Sequence, residues 1–427
     1  MEKYCKKPIN FVYSLNICCI LRKFVIYSKY MISSDYINRD YYVSLLSSFR
    51  QTGMIKIITG IRRCGKSTLL NELFYDYLLS DGVKKDTIIK IHLESLAQED
   101  YTKDVSSLYN YIKSLITQDC LYYIFIDEVQ ELTDFEKLVN ALKIDFKTDI
   151  YLTGSNSRLL SKEISTRLSG RFVEIPLFPF SFLEFCDAVN LINPAKPQSD
   201  EELFNEYLLH GGFPFAALCQ NNDLLDMQFD GLFSSVIVKD IASRYEIRDM
   251  NLLRNIVLEV FSSIGSITSP NKLANTLISM GYKVTYDTVR NYLEYLCDAF
   301  ILYKASRYNV KGKKYFENKF KYYVVDTGLR NSLLHYRQIE PTHAFENIVY
   351  FELLRRGWTV DIGEIDGYEV DFMCRGTKGL VYVQSAWTIS DEEKMAQECK
   401  SFSLLRDNYP KVIITRDSVP LHDAGNG

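Results

Sequence analysis

The sequence predicts an α/β fold whose first half is a P-loop parallel sheet flanked by helices, and three observations carry that prediction. Gly60-Ile61-Arg62-Arg63-Cys64-Gly65-Lys66-Ser67 satisfies G-x-x-x-x-G-K-[ST] in full, and it follows the apolar run Met54 to Ile58 that a buried strand feeding a phosphate loop requires. Further on, Leu121 to Glu128 is an apolar run closing on the carboxylates Asp127 and Glu128, as a parallel strand buried on both faces would read. Between 54 and 175 such strands alternate with amphipathic helices, at 54–59, 88–93, 122–127, 149–153 and 172–175. That alternation places any ligand at the strand C-termini.

Taken in order, residues 1–34 stand apart as an N-terminal extension. A charged start, Met1 to Lys7, precedes an apolar stretch from Ile9 to Leu21 that Arg22 and Lys23 interrupt. The stretch stops short of the roughly twenty residues needed to span a bilayer, and no small-x-small cleavage site follows. An upstream extension or a misplaced start, with Met31 leading into the P-loop domain, is expected in preference to stable membrane insertion.

In the P-loop domain, residues 35–190, the glycines let the backbone N–H groups of Gly60 to Ser67 turn toward phosphate. Lys66 reaches the terminal phosphates, Ser67 offers its hydroxyl to Mg²⁺, and the helix from Thr68 to Leu79 presents its positive N-terminus. Asp127 is the carboxylate that holds Mg²⁺ through water, and Glu128 the base that orients the attacking water. Thr153-Gly154-Ser155-Asn156-Ser157 ends the fourth strand and sets short polar side chains beside the phosphates, where they sense nucleotide or cap the next helix. Arg167 and Arg171 are candidates to stabilise γ-phosphate charge, in cis or from a neighbouring subunit; the alternative is a solvated surface arginine.

Residues 190–200 read as a polar linker. A largely helical stretch, 200–265, is broken by Gly211-Gly212-Phe213-Pro214, which reads as a tight turn and not as a ligand site. Over 266–325 the pattern of helix, turn at Gly281-Tyr282, helix from about Asp287 to Phe300 and a strand pair predicts a winged helix, with Thr288, Arg290 and Asn291 on a groove-facing side. Its wing, Lys304 to Lys321, has seven Lys or Arg against one Glu, interleaved with Tyr308, Tyr315, Phe316 and Phe320. That combination suits DNA phosphates, though winged helices also serve protein partners.

Composition narrows the classes. A chain of 427 residues exceeds one core and implies two or three domains. A net charge of −4 leaves no global basic field, so nucleic-acid contact would have to be local. Ten cysteines without C-x-x-C or His-paired spacing read as reduced thiols of a cytoplasmic protein, and they favour neither zinc nor a disulfide framework.

Taken together, Gly60 to Leu70, Ile126-Asp127-Glu128-Val129-Gln130, Thr153 to Ser157, Leu168-Ser169-Gly170-Arg171, Pro179 to Phe182 and Gly211 to Pro214 resemble a large family of prokaryotic AAA-type ATPases. Its members join an N-terminal P-loop domain to a C-terminal domain of unknown function. Over roughly residues 35 to 420 the resemblance implies an AAA-like sheet, a helical lid, a winged helix and a terminal domain, 340–420, similar to restriction-endonuclease-type nucleases. Carried over, the nucleotide is ATP, the phosphate loop is Gly60 to Ser67 with Thr68 behind it, the metal ligands are Ser67 and Asp127, and the base is Glu128. The sensor is Ser155 or Asn156, and the finger Arg167 or Arg171.

A nuclease core of that kind needs a helix carboxylate, an Asp at a strand end and Glu-x-Lys on the next strand. Glu346 and Asp371 match the first two, or are surface carboxylates. Val383-Gln384-Ser385-Ala386 supplies neither the Glu nor the Lys, so the terminal domain is expected to be catalytically inactive. The polar tail, Asp417 to Gly427, comes where the family continues with another apolar segment, which points to a truncated or frameshifted end.

The functional expectation is Mg-dependent ATP hydrolysis that moves the lid and winged helix. A nucleotide-gated switch with little turnover is a second reading, and a DNA-binding protein with residual nuclease activity a third. ATP over GTP rests on the resemblance, with no Asn-Lys-x-Asp guanine motif against it. A finger acting in trans implies self-association.

Overall fold

In a computed structural model that describes residues 12–16 and 36–417, apart from 161–165, 169, 196–197, 220, 248, 338–339 and 378, the chain builds two sheets. The first contains β2 (Ile55–Thr59), β3 (Ile88–His92), β4 (Tyr122–Asp127), β5 (Thr148–Gly154) and β6 (Phe172–Pro176), in the order β3-β4-β5-β2-β6. All four pairings are parallel, as the five apolar runs predicted.

Alternation along these strands divides the interior. Ile55, Ile57, Ile124, Ile126, Ile150 and Leu152 face one core with Leu108 and Ile112 of the helix Val105–Leu115 and Leu138, Val139 and Leu142 of the helix Phe135–Asp145. Ile58, Tyr123, Phe125 and Tyr151 face the other, against Leu70, Leu73 and Phe74 of the helix that follows the phosphate loop. This period-2 split is what a strand covered on both faces produces. Lys56 interrupts the apolar run of β2, yet it is fully buried, because Asp149 on β5 pairs with its ammonium group and the Met54 carbonyl accepts a further bond at 3.0 Å.

Helices Phe182–Ile192 and Asp200–His210 each begin with a capping box, Ser181 with Glu184 and Ser199 with Glu202. The linker is therefore confined to 193–199. Between 200 and 262 helices predominate, the first ending at the break Gly211-Gly212-Phe213, and the longest, Asn222–Ser235, passes into a π-helical stretch, Val236–Ala242.

The second sheet has the order β1-β13-β12-β11-β10-β8-β9-β7. Its strands are β1 (Val12–Asn16), β7 (Ile267–Thr268), β8 (Leu302–Asn309), β9 (Lys314–Val324), β10 (Thr359–Ile365), β11 (Tyr368–Gly376), β12 (Gly379–Ala386) and β13 (Lys411–Thr415). Helices Pro270–Ser279 and Tyr286–Asp298 precede the antiparallel hairpin β8-β9, as the pattern over 266–325 predicted. The hairpin does not stand free: β8 also pairs in parallel with β10. From the N-terminal extension, Val12 to Asn16 pairs in parallel with β13 and so covers an edge that would otherwise be unpaired. The rest of that extension and the tail beyond Asp417 lie outside the described residues.

One core runs through both halves. Phe178, just after β6, packs within 5.7 Å of Tyr303 on β8 and 5.5 Å of Phe351 on the helix Pro341–Arg355, ring centre to ring centre. No helix among the described residues is long and apolar enough to cross a membrane.

Candidate functional site

The site is assembled where β2, β4 and β5 end. After Thr59 the chain turns back over the sheet, and two glycines make the turn. At Gly60, φ is +154° and a side-chain carbon would sit 2.1 Å from the Leu177 carbonyl oxygen; at Gly65, φ is +100°. Lys66, almost wholly buried, donates to the carbonyls of Gly60 (3.1 Å) and Ile61 (3.2 Å) and to Ser155 Oγ (2.9 Å). Ser155 Oγ in turn donates to Glu128 Oε2 at 2.8 Å, and Lys66 Nζ stands 3.6 Å from Glu128 Oε1. Loop lysine, candidate sensor serine and candidate base thus form one hydrogen-bonded chain.

Glu128 is held in left-handed backbone geometry, φ 54° and ψ 52°. Its N–H donates to Thr153 Oγ1 at 2.9 Å, and Gln130 Nε2 donates to its carboxylate at 2.5 Å. Burial pushes the carboxyl up, but Lys66, Gln130, Ser155 and Arg62 together hold it below its ordinary value. Asp127 behaves alike: burial raises it, while hydrogen bonds from His92, Thr153 and Ser67 bring it below the usual carboxylate range. The Ser67 hydroxyl and the Asp127 carboxylate therefore lie against each other, a pair of hard oxygen donors that fits Mg²⁺. Asn156 is buried beside Ser155, one residue further from Lys66 along the chain.

Beside the loop lies a cleft of about 440 Å³. Lys66, Ser67 and Glu128 line it with polar groups, and Ile37, Leu73, Phe180, Leu191, Pro214 and Leu218 with apolar ones. A mixed lining and a volume of this size suit a nucleotide-sized ligand. Pro214, from the turn expected to carry no ligand, lines the cleft. Gly212 lies so close to the Phe180 carbonyl that a side-chain carbon would meet it at 2.3 Å, which is how the turn seals this wall.

Arg39, which no motif marks, is a second addition. Its Nη1 donates to the Cys64 carbonyl (3.1 Å), its Nη2 to the Phe178 carbonyl (2.9 Å) and its Nε to Glu184 (2.8 Å), so it ties the loop to the cleft wall. Burial works against its charge, but Glu184 overcomes this and keeps it protonated. A buried arginine has no signature in a single sequence; only the carbonyls around it reveal its role.

The arginines expected as fingers have these neighbours. Arg167 pairs with Asp134 (3.3 Å) and Glu136, and Asn140 holds its carbonyl at 3.0 Å. The Arg171 carbonyl accepts from the N–H of Ile55, where β2 begins, at 2.9 Å. The phosphate loop leaves the other end of that strand, roughly 13 Å away at ~3.3 Å per residue. Arg171 thus starts from the end of β2 far from the loop, while Arg167 is tied to the segment that follows β4. Of the remaining loop residues, Arg63 is exposed with φ 62° and lines the cleft, Cys64 is buried with its Sγ 3.4 Å from the Leu177 carbonyl, and Thr68 lines the cleft behind Ser67.

The wing is less basic than its sequence. Lys321 is buried between Glu346 (2.9 Å) and Glu369 (2.6 Å), Lys311 pairs with Asp366 (2.9 Å), and Lys304 lies over the Phe320 ring. Arg290 pairs with Asp287 on its own helix at 3.2 Å. Glu346 and Asp371 are buried, which corrects their reading as surface carboxylates. Gln384 Nε2 (3.1 Å) and the Ser385 N–H (2.8 Å) bond Asp371, so the cation in this cluster is Lys321 from β9. The seven cysteines among the described residues are all free thiols.

Residues 52–186 match the family described as AAA domain, and residues 201–340 a domain of unknown function (DUF8612). An uncharacterized protein of Haemophilus influenzae is 37% identical over 385 residues, which cover 90% of this chain and 94% of that protein. An uncharacterized protein of Methanocaldococcus jannaschii is 32% identical over 403 residues, covering 89% and 85%. Among solved structures, Cdc6p from Pyrobaculum aerophilum overlaps 75% of this chain and 97% of its own, at 11% identity and a TM-score of 0.32, too loose for residue-by-residue equivalence.

Proposed function

Because the chain belongs to the family that includes these Haemophilus influenzae and Methanocaldococcus jannaschii proteins, with an AAA domain in its first half, we propose that it is a Mg-dependent ATPase whose lid and winged helix respond to nucleotide. The observation that carries the proposal is the chain Lys66–Ser155–Glu128 at the cleft. Adenosine sits against Ile37, Leu73, Phe180 and Pro214. The backbone N–H groups of Gly60 to Ser67 and the Lys66 ammonium take the phosphates, and Lys66 leaves the carbonyls it bonds to do so.

Ser67 and Asp127 hold Mg²⁺, which when bound neutralises phosphate charge. Among the described residues no group of three or more His, Cys, Asp or Glu is arranged to hold a metal, so Ser67 and Asp127 would hold the ion together with bound nucleotide. Glu128, kept ionised, takes a proton from water as the water oxygen bonds to the γ-phosphorus and the bond to the β–γ bridging oxygen breaks. Ser155 is the sensor, since it touches both Lys66 and Glu128.

Residues 200–265 act as the lid and 266–325 as the winged helix. Ser157 Oγ donates to Asp298 at the end of the helix Tyr286–Asp298 (2.6 Å), a direct link from sensor strand to winged helix. That link also favours a second reading, a switch in which the bound nucleotide matters more than turnover. The acidic partners of Lys311 and Lys321 argue for weak DNA contact, and the Lys321–Glu346–Glu369 cluster supports a structural role over cleavage. Free thiols suit a reducing compartment such as the cytoplasm.

Steady-state hydrolysis and nucleotide binding test the proposal. Lys66→Ala is expected to lose ATP binding, and Glu128→Gln to bind ATP while turnover falls ~10²-fold or more. Equal rates in wild type and Glu128→Gln would remove Glu128 as the base, and tight binding without turnover in the wild type would select the switch.

A further inference from the structure

The guanidinium of Arg62 points to a role that the loop motif does not assign. As the third residue of the phosphate loop it lies between the two glycines, where the backbone arches over the phosphates. Its side chain is largely buried and held by acids from three other segments. Nε bonds Asp240 at 2.8 Å, Nη1 bonds Glu94 beyond β3 at 3.2 Å, and Nη2 lies 3.9 Å from Glu131 beyond β4. Arg62 is also close enough to Glu128 to help keep it ionised. Arg62 therefore puts a cation on the loop itself, close to the candidate base.

Asp240 is the informative partner. It is buried, 178 residues away in sequence, and sits in the π-helical stretch Val236–Ala242 of the lid. Such wide turns recur at functional sites, because the helix gains an inserted residue it can shift. Burial pushes the Asp240 carboxyl up in spite of Arg62, and Arg244, one helical turn on, is the other cation close to it.

We propose that Arg62 is the intrinsic γ-phosphate arginine of this ATPase, exchanging Asp240 of the lid for the γ-phosphate, so that ATP but not ADP loosens the lid from the loop. The inference rests on the ATPase reading and deepens it. A γ-phosphate offers the guanidinium at least as much negative charge as the Asp240 carboxylate, which holds it through the single Nε bond. In the transition state the same contact meets the charge that builds on the transferred group. ADP lacks that phosphate, so with ADP the Arg62–Asp240 bond holds and Val236–Ala242 stays against the loop. The device needs no second subunit.

The experiment is equilibrium binding of fluorescent ATP and ADP analogues with Mg²⁺ to the full chain, alongside steady-state turnover, for wild type, Arg62→Ala, Arg62→Lys, Asp240→Asn and Lys66→Ala. Lys66→Ala tests the underlying reading alone: if it leaves both nucleotides bound normally, the cleft is not the nucleotide site, whatever Arg62 does. With that established, Arg62→Ala is expected to weaken ATP ~10-fold or more while ADP changes less than ~3-fold, and to lower turnover ~10²–10³-fold, the loss typical of one charge-stabilising donor. Arg62→Lys should recover part of the ATP affinity but little of the turnover. Asp240→Asn should raise the ATP-to-ADP preference several-fold, since Arg62 then loses its buried charged partner and keeps only the more exposed Glu94 and Glu131. An ATP-to-ADP preference unchanged in both Arg62→Ala and Asp240→Asn would overturn the inference. Equal weakening of both nucleotides by Arg62→Ala would also overturn it and make Arg62 a structural tie.

Discussion

Glu128 adopts left-handed backbone geometry that costs an ordinary residue about 1–2 kcal/mol, and the fold sustains it with the bonds from its N–H to Thr153 and from Gln130 to its carboxylate. The conformation turns the carboxylate back from the end of β4 toward Lys66 and Ser155. Because Lys66, Gln130 and Ser155 outweigh burial, the acid limb of the turnover profile is expected below pH 4.5, the ordinary glutamate value. Ser155→Ala removes one of those bonds; the limb should move upward and turnover at neutral pH fall ~10-fold, equivalent to about 1.4 kcal/mol. A pH–rate profile that Ser155→Ala leaves unmoved would detach Ser155 from the base. That Lys66, Ser67, Asp127 and Glu128 come together was legible, because each ends a strand or opens a helix that local hydrophobic pattern and the loop motif already mark. Arg39 was not, since its three partners are Cys64, Phe178 and Glu184, far from it in sequence.

At the scale of elements, the break at Gly211-Gly212 illustrates what a turn motif omits. Asp326, at the N-terminus of the helix Thr327–Leu333, accepts from the Leu329 N–H at 3.0 Å and from the Gly212 N–H at 2.6 Å. Gly211 has φ +74°, and a side-chain carbon there would sit 2.0 Å from Asp326 Oδ1. Asn331 donates to the carbonyls of Leu208 (3.1 Å) and Leu209 (2.9 Å), which end the preceding helix. The turn is thus a clasp between the helical segment that contains it and the helix that follows the β8-β9 hairpin. Asp326→Ala leaves both N–H groups unpaired and should cost ~2–4 kcal/mol in urea unfolding; a loss under ~0.5 kcal/mol would mean that the clasp is not needed. The wing shows the converse. Its lysines are plain in the sequence, but their acidic partners come from elsewhere, leaving Lys313, Lys314 and Lys319 exposed. Duplex DNA is accordingly expected to bind with a salt slope no steeper than about −3, that of roughly three phosphate contacts, in a titration across salt concentrations.

For the whole molecule, two buried carboxyls set a pH dependence. Burial and the neighbouring Glu346 push Asp371 up to about 7 against the pull of Lys321, and burial pushes Asp326 up to about 6. An acid whose folded value is raised binds its proton more tightly folded than unfolded. Its contribution to stability is therefore full below the ordinary value of 3.8 and declines as pH rises toward the folded value. From these groups, stability should fall between about pH 4 and pH 7, and Asp371→Asn should flatten that decline. Chemical denaturation at several pH values measures it; an unchanged slope in Asp371→Asn would mean that Asp371 ionises as easily folded as unfolded. Because one core links both sheets through Phe178, Tyr303 and Phe351, such losses are expected to be felt across the molecule.

The sequence by itself determined the five parallel strands, the loop that follows β2, the carboxylates that end β4 and the helix pair before the β8-β9 hairpin. Each rests on hydrophobic period or motif spacing within a short stretch of chain, where the backbone alone dictates which side chains share a face. Tertiary structure decided which charges remain available. Arg62 meets Asp240, Lys321 meets Glu346 and Glu369, Asp326 meets Gly212, and β8 joins β10 in one sheet. Those pairings depend on the close approach of distant segments, and whether a buried charge is neutralised or left to act is settled by a partner that no local pattern reveals.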